Sequence, residues 1–228
     1  RPTMHLPRSL AMLALLPLLA SCQSFFNRAP DAPSTAGLTR MQGALQGDNG
    51  RLFFQPCGDP RRYAVIDSND TGVLQEASQL AGNRPVIYAD LRGRFDASTN
   101  GGTDGQLRLH QLYRLDRSLA ACKDPDFKLS SLSAGGESPR WQVRVTGQGM
   151  VVDREGQPPL ALPYVEEQVG GGRFNLSTEA NNQRIELWVA PQRCVDSRNN
   201  GVQFLSAELR VNGEVQRGCA TFGGARNQ

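Results

Sequence analysis

Residues 85–95 read Pro-Val-Ile-Tyr-Ala-Asp-Leu-Arg-Gly-Arg-Phe, and their alternation decides the fold class. Val86, Tyr88 and Asp90 fall on one side and Ile87, Ala89 and Leu91 on the other, the period of two that a strand requires. Downstream, past a Gly/Asn/Asp/Thr-rich loop at 96–105, Leu107, Leu109, Gln111 and Tyr113 alternate with Arg108, His110, Leu112 and Arg114. Upstream, Val73, Leu74, Ala77, Leu80 and Ala81 share one helical face. Asn69, Asp70 and Thr71 are candidate caps before them, and Gly82 stands just past the end. Further upstream, short apolar runs at 41–45, 52–54 and 62–66 predict three strands. Gly47-Asp48-Asn49-Gly50 marks a hairpin between the first two. The order β-β-β-α-β-β over residues 39–132 predicts a small, partly closed β-barrel with one helix.

Residues 130–138 (SSLSAGGES) read as a linker, and beyond them the pattern is entirely β. Trp141, Val143 and Val145 alternate with Gln142, Arg144 and Thr146. Short runs follow at 148–153, 160–166, 173–177 and 184–190, with Gly or Pro between them. Leu205, Ala207, Leu209 and Val211 lead into Asn212-Gly213, a strong hairpin signal because both turn residues must accept positive φ. The expected fold class is therefore mainly β: the small barrel with one helix, a second antiparallel all-β module over 137–222, and a flexible tail at 223–228.

The start of the chain carries a different signal. Met4 is the expected initiator, His5 and Arg8 make a short polar region, and residues 10–19 (LAMLALLPLL) are continuously apolar. Ala20-Ser21-Cys22 closes the stretch with small residues, the layout of a secretory signal over residues 1–21. The apolar run is roughly half of the ~20 residues that a spanning helix needs. Leu19-Ala20-Ser21-Cys22 resembles the lipobox of bacterial lipoproteins. That resemblance implies cleavage before Cys22, diacylglycerol on its thiol and attachment to a membrane through the N-terminal lipid. It also implies palmitate-type acylation of the new amine. Gln23, where Asp would favour the inner membrane in that family, implies the outer membrane, facing the periplasm. Residues 22–38 read as a tether, able to reach about 40–50 Å at ~3 Å per residue. Loss of Arg1 and Arg8 from 25 basic side chains leaves 23, against 22 acidic ones. So balanced a chain would not neutralise a phosphate backbone, and nucleic acid is not an expected partner.

Four cysteines remain beyond Cys22: Cys57, Cys122, Cys194 and Cys219. An even number in an exported protein reads as two disulfides, with three possible connectivities. The division into modules favours Cys57–Cys122 and Cys194–Cys219, each worth roughly 3–4 kcal/mol in the chain-entropy account. No C-x-x-C or H-x-x-x-H spacing occurs, and His110 is the only histidine beyond the signal. Neither a metal nor another cofactor is expected.

Two further resemblances concern the modules. Phe53-Phe54-x-x-Cys57, Tyr63-Ala64-Val65, residues 74–80, residues 86–94 and the late Cys122 resemble the C-terminal OB-like domain of NlpE-type envelope lipoproteins. The copper-associated C-x-x-C of that family is absent, so copper binding is not implied. Trp141-Gln142-Val143, Cys194-Val195-Asp196 and Gly218-Cys219-Ala220 resemble the HslJ/META style of envelope lipoprotein domain. Here Ser197-Arg198-Asn199 replaces the Gly-Met-Ser expected after Cys-x-Asp.

The chemistry-bearing residues point to binding more than to catalysis. A hydrolase needs an activated nucleophile with a base in reach. His110 is the one imidazole available, set mid-strand beside Arg108. Glu166 and Glu167 are strand neighbours and face opposite ways. No catalytic residue is therefore assigned. Arg92, Arg94, Arg108 and Arg114 would form a patch for an anionic ligand, such as an envelope glycan or lipid headgroup, if their strands are adjacent. Trp141 and Trp188 are expected in or beside the second core. The favoured expectation is a non-enzymatic envelope lipoprotein that binds a protein or ligand in stress sensing or envelope maintenance. One alternative is an inhibitor of a periplasmic or host hydrolase such as lysozyme, presenting loop 96–105 or 195–201. The other is an uncharacterised hydrolase.

Overall fold

The computed structural model describes residues 2–3, 36–98 and 101–226. The chain divides into residues 1–35 and residues 36–228, and every element below belongs to the second unit. Apart from residues 2 and 3, the expected signal over 1–21, Cys22 and the tether as far as residue 35 lie outside the described residues.

Five strands close the first barrel: β1 (Thr39–Asp48), β2 (Arg51–Pro56), β3 (Tyr63–Asp67), β4 (Val86–Ala97) and β5 (Gly105–Asp116). β1 pairs antiparallel with β2 and β4, β2 with β3, and β4 with β5. A parallel β3–β5 pairing, Tyr63↔Gly105 to Asp67↔Leu109, completes the ring. The β1–β2 turn is Asn49-Gly50, both at positive φ (48° and 73°), as a tight two-residue hairpin requires. Helix α1 (Val73–Ala81) joins β3 to β4 and buries Val73, Ala77 and Leu80 in the barrel core. Its start differs from the expected cap. Gly72 is the cap residue, and the Asp67 carboxylate accepts the backbone N–H groups of Thr71 and Gly72. Of the three candidates, Thr71 accepts from Val73 N, while Asn69 donates to the His110 carbonyl.

Nine strands make the second body: β6 (Ser130–Glu137), β7 (Arg140–Thr146), β8 (Gly149–Arg154), β9 (Leu160–Leu162), β10 (Val165–Gly170), β11 (Arg173–Ala180), β12 (Gln183–Val195), β13 (Val202–Val211) and β14 (Glu214–Phe222). Their order is β9-β8-β7-β6-β14-β13-β12-β11-β10, antiparallel throughout. The first and last strands of that order, β9 and β10, are joined by Pro163 and Tyr164 alone. Three Cα steps of ~3.8 Å span at most ~11 Å, so the sheet must curl until its edges approach. One core fills the curl, with Trp141, Met150, Phe174 and Leu187 at its centre. The run at 160–166, expected as one strand, is two, because the chain turns from one edge to the other at Pro163.

The two bodies share a strand. Val202 and Gln203 at the start of β13 pair with Leu115 and Arg114 of β5, and Val202 packs in the first core. Leu205, Ala207, Leu209 and Val211 of the same strand pack in the second.

Two expectations are corrected here. Residues 130–138 are not a linker: they hold β6, paired with β14 and β7, and Leu132 and Ala134 are buried. Their small side chains serve close backbone approach. A Cβ on Gly218 would stand 2.0 Å from Gly135 O, and one on Gly136 would stand 2.3 Å from Arg217 O. Nor is the tail at 223–228 loose over its described part. Gly224 N donates to Phe127 O and Ala225 N to Ser130 O, while Arg226 pairs with Glu166 and stacks on Phe174 and Phe222.

The clash at Gly218 is with backbone, which cannot swing aside. Gly218→Ala should therefore lower the unfolding free energy by about 1–3 kcal/mol, read as a lower urea midpoint. An unchanged midpoint would show that β6 and β14 are not packed this closely.

Candidate functional site

Both expected disulfides are present. Cys57–Cys122 ties the end of β2 to a 3-10 turn (Leu119–Lys123), and Cys194–Cys219 ties β12 to β14, each with Cα atoms 5.6 Å apart. The second bridge is unusual because β12 and β14 both flank β13. Strands two apart in a sheet lie ~9–10 Å from each other. An irregularity in β12 between Pro191 and Cys194 closes that gap.

Each disulfide borders a cleft. The Cys194–Cys219 cleft, about 580 Å³, is lined by Gly135, Gln192, Arg193, Ser206, Glu208 and Arg217 among others. Its charges are compensated at the rim: Arg193 forms an ion pair with Glu76 of α1 at 2.6 Å, and Glu208 receives Arg210 at 2.8 Å and Arg217 at 3.4 Å. The Cys57–Cys122 cleft, about 600 Å³, is lined by Arg40, Met41, Gln42, Asp59 and residues 121–128 apart from 126.

Loop 195–201, a candidate for insertion into a hydrolase, is braced from within. Asp196 is buried; its carboxylate accepts the Arg198 backbone N–H and both Nε and Nη2 of Arg198, and also Gln203 Nε2 at 2.7 Å. Asn199 Nδ2 donates to Asp116 across the shared-strand junction, and Asn199 Oδ1 accepts Gly201 N. A Cβ on Gly135 would lie 2.4 Å from Arg198 Nη1, so the arginine is folded back over β6 instead of projecting. Burial by itself would raise the Asp196 pKa. The Arg198 hydrogen bonds and charge, helped by Arg114, outweigh it and hold the carboxyl below its ordinary value. In loop 96–105, Asp104 Oδ2 accepts Arg62 N and Ser98 meets Thr103.

Arg92 and Arg94 lie on β4 and Arg108 and Arg114 on β5, so the strands that carry the expected patch are adjacent. Arg94 stands opposite Arg108, and Arg114 opposite Asp90. Carboxylates are interleaved with them. Arg108 pairs with Asp96 at 2.7 Å and Arg114 with Asp116 at 2.6 Å, while Arg94 donates to Ala36 O. Arg92 is buried beside the Tyr113 ring. His110 sits at an irregularity of β5, with its carbonyl accepting Asn69. Glu166 and Glu167 are successive residues of β10, and only Glu166 reaches Arg226. Trp141 is fully buried in the second core, whereas Trp188 is partly exposed under Arg210.

Sequence reading missed the group at the base of the patch. Arg40 of β1 makes a bidentate contact with buried Asp90 (3.0 and 2.6 Å) and donates to the carbonyls of Phe222 and Gly223. It also lies over the Tyr113 ring at 3.9 Å and near Phe127 at 5.0 Å. Burial drives the phenols of Tyr88 and Tyr113 above their ordinary pKa. Among the described residues no group of three or more His, Cys, Asp or Glu side chains could hold a metal ion, and no helix is long and apolar enough to cross a membrane. Comparison with family models, curated proteins and solved structures finds no match to this chain.

Because its folded pKa is depressed, Asp196 contributes stability that is fully present above the ordinary carboxyl value of 3.8 and is lost as pH falls through the lower folded value. Arg198→Met should therefore flatten part of the acid limb of a stability-versus-pH profile below about pH 4, leaving the profile near neutrality parallel to that of the parent. Identical acid limbs would refute the assignment.

Proposed function

We propose that this protein is a lipid-anchored lipoprotein of the bacterial outer membrane whose two β-bodies bind an envelope partner without catalysis, in envelope maintenance or stress sensing. The carrying observation is the cysteine balance. All four cysteines of the folded unit are consumed in Cys57–Cys122 and Cys194–Cys219, leaving only Cys22, which stands in Leu19-Ala20-Ser21-Cys22. Paired cysteines belong to an oxidising compartment. A single thiol preceded by an apolar run and small residues suits lipid attachment. Two or three acyl chains bind far more tightly than one, at about 0.8 kcal/mol per buried methylene.

The binding face in this reading is the Cys194–Cys219 cleft. Glycines and serines floor it, charged pairs rim it, and the disulfide and the braced 195–201 loop fix its shape before any partner arrives. Preorganisation of that kind limits the entropy lost on binding. The resemblances of the two modules to NlpE-type and HslJ/META-style domains support the same cellular setting.

Mass spectrometry of the membrane-extracted protein should show Cys22 as the first residue, carrying diacylglycerol and an amide-linked acyl chain. Cys22→Ala should leave the protein in the soluble fraction with residues 1–21 unprocessed or cleaved elsewhere. A parent protein recovered unacylated with residues 1–21 intact would overturn the reading.

A further inference from the structure

The chain holds 25 basic residues beyond histidine, and only two are lysines, Lys123 and Lys128. Both line the Cys57–Cys122 cleft. Nearly every arginine described above is engaged by a carboxylate, a carbonyl or an aromatic ring, whereas the two lysines are exposed and have no ion-pair or hydrogen-bond partner for their ammonium groups among the described residues. An arginine fork suits fixed, bidentate pairing, while a lysine ammonium is a mobile point charge with three donors. Among the described residues of this cleft, the two lysines are thus the cations left available to a ligand; Arg84 and Arg154, also without a side-chain partner, do not line it.

Their backbone is held at both ends. Cys122, next to Lys123, is bridged to Cys57. Phe127, next to Lys128, lies near Arg40 and accepts Gly224 N at 2.8 Å. Between them Asp124 Oδ1 accepts Asp126 N, shaping the turn.

The other charges facing the cleft are largely spent. Arg40 is neutralised by Asp90, and both oxygens of Asp59 accept the Arg61 guanidinium. Asp124 alone remains as an opposing carboxylate. Met41, Pro56, the disulfide, Pro125 and Phe127 supply the apolar wall.

We infer that this cleft is a phosphate site: Lys123 and Lys128 bind the oxygens of a phosphate group, and the apolar wall takes the carbon framework attached to it. A phosphodiester lipid headgroup and a free phosphate both carry that chemistry. Arg40, which lines the cleft, follows the 22–38 segment by two residues, so under the anchored reading the lipid source is within the chain's own reach. The phosphate site itself does not depend on the anchor.

Having two lysines makes the test direct. Reductive 13C-dimethylation keeps both charges and gives the full-length, detergent-solubilised protein two lysine methyl signals. Titration with inorganic phosphate should shift both signals to saturation, while chloride at equal ionic strength should not. Lys123→Gln or Lys128→Gln should each weaken binding about tenfold, and Asp124→Asn should strengthen it. Short-chain phosphatidylglycerol binding at least ten times more tightly than glycerol phosphate would assign the site to lipid. Equal affinities would assign it to free phosphate. Chloride acting as well as phosphate, or binding that survives both lysine substitutions, would overturn the site whatever the state of Cys22.

Discussion

A guanidinium taken out of water needs a full set of acceptors, and Arg40 obtains its set from opposite ends of the chain. Asp90 supplies a carboxylate from the neighbouring strand; Phe222 and Gly223 supply carbonyls from the end of β14, 182 and 183 residues away. With Tyr113 beneath it and Gln42 also donating to Asp90, the ion pair is close to fully satisfied. Replacing such a pair by apolar residues can be neutral, but removing one member leaves a buried charge at a cost of roughly 3–5 kcal/mol. The first barrel therefore keeps its charge balance only while the end of β14 stays docked. Since the Phe222 ring packs against the second core, that docking requires the second body to be folded.

The rest of the structure follows this dependence. β13 passes from one core to the other, and the Asp196 loop sits at the crossing with Asn199 held by Asp116 of β5. The disulfides stand at the borders of the two clefts, where each fixes a segment that leaves the regular sheet: the 3-10 turn in one case and the irregular end of β12 in the other. Covalent bridges hold these segments where regular strand pairing does not, and fixed borders keep the clefts open.

Much of the first barrel was legible in the sequence because its signals are local. Alternation at 86–91, the helical face from Val73 to Ala81 and the Asn49-Gly50 turn each lie within a few residues. The disulfide partners were also legible, since each bridge closes within one body. What could not be read was set by contacts distant in sequence. SSLSAGGES has the composition of a linker, yet it is a buried strand whose glycines are dictated by Arg217 and Gly218, some 80 residues on. Arg226 looked like part of a loose end until Glu166 and Phe174 gave it partners. Arg40 carried no local mark at all, because its partners arise from strand β4 and the chain's last turn. The four patch arginines come from the adjacent strands β4 and β5, but Arg92 is buried and carboxylates are interleaved with the others. The Cys57–Cys122 cleft carries a compositional mark instead: two lysines, five residues apart, in an arginine-rich chain.

The claim that Arg40 makes the two bodies one cooperative unit is best tested with the tryptophans, since both Trp141 and Trp188 belong to the second body. Urea unfolding of Arg40→Met can be followed by tryptophan fluorescence and by far-ultraviolet circular dichroism. Loss of the β1 guanidinium should lower the fluorescence midpoint as well as the overall one, with a destabilisation of about 3 kcal/mol or more. A fluorescence midpoint equal to that of the parent protein, with the circular dichroism curve alone displaced, would show that the second body folds without regard to Arg40 and would contradict the account.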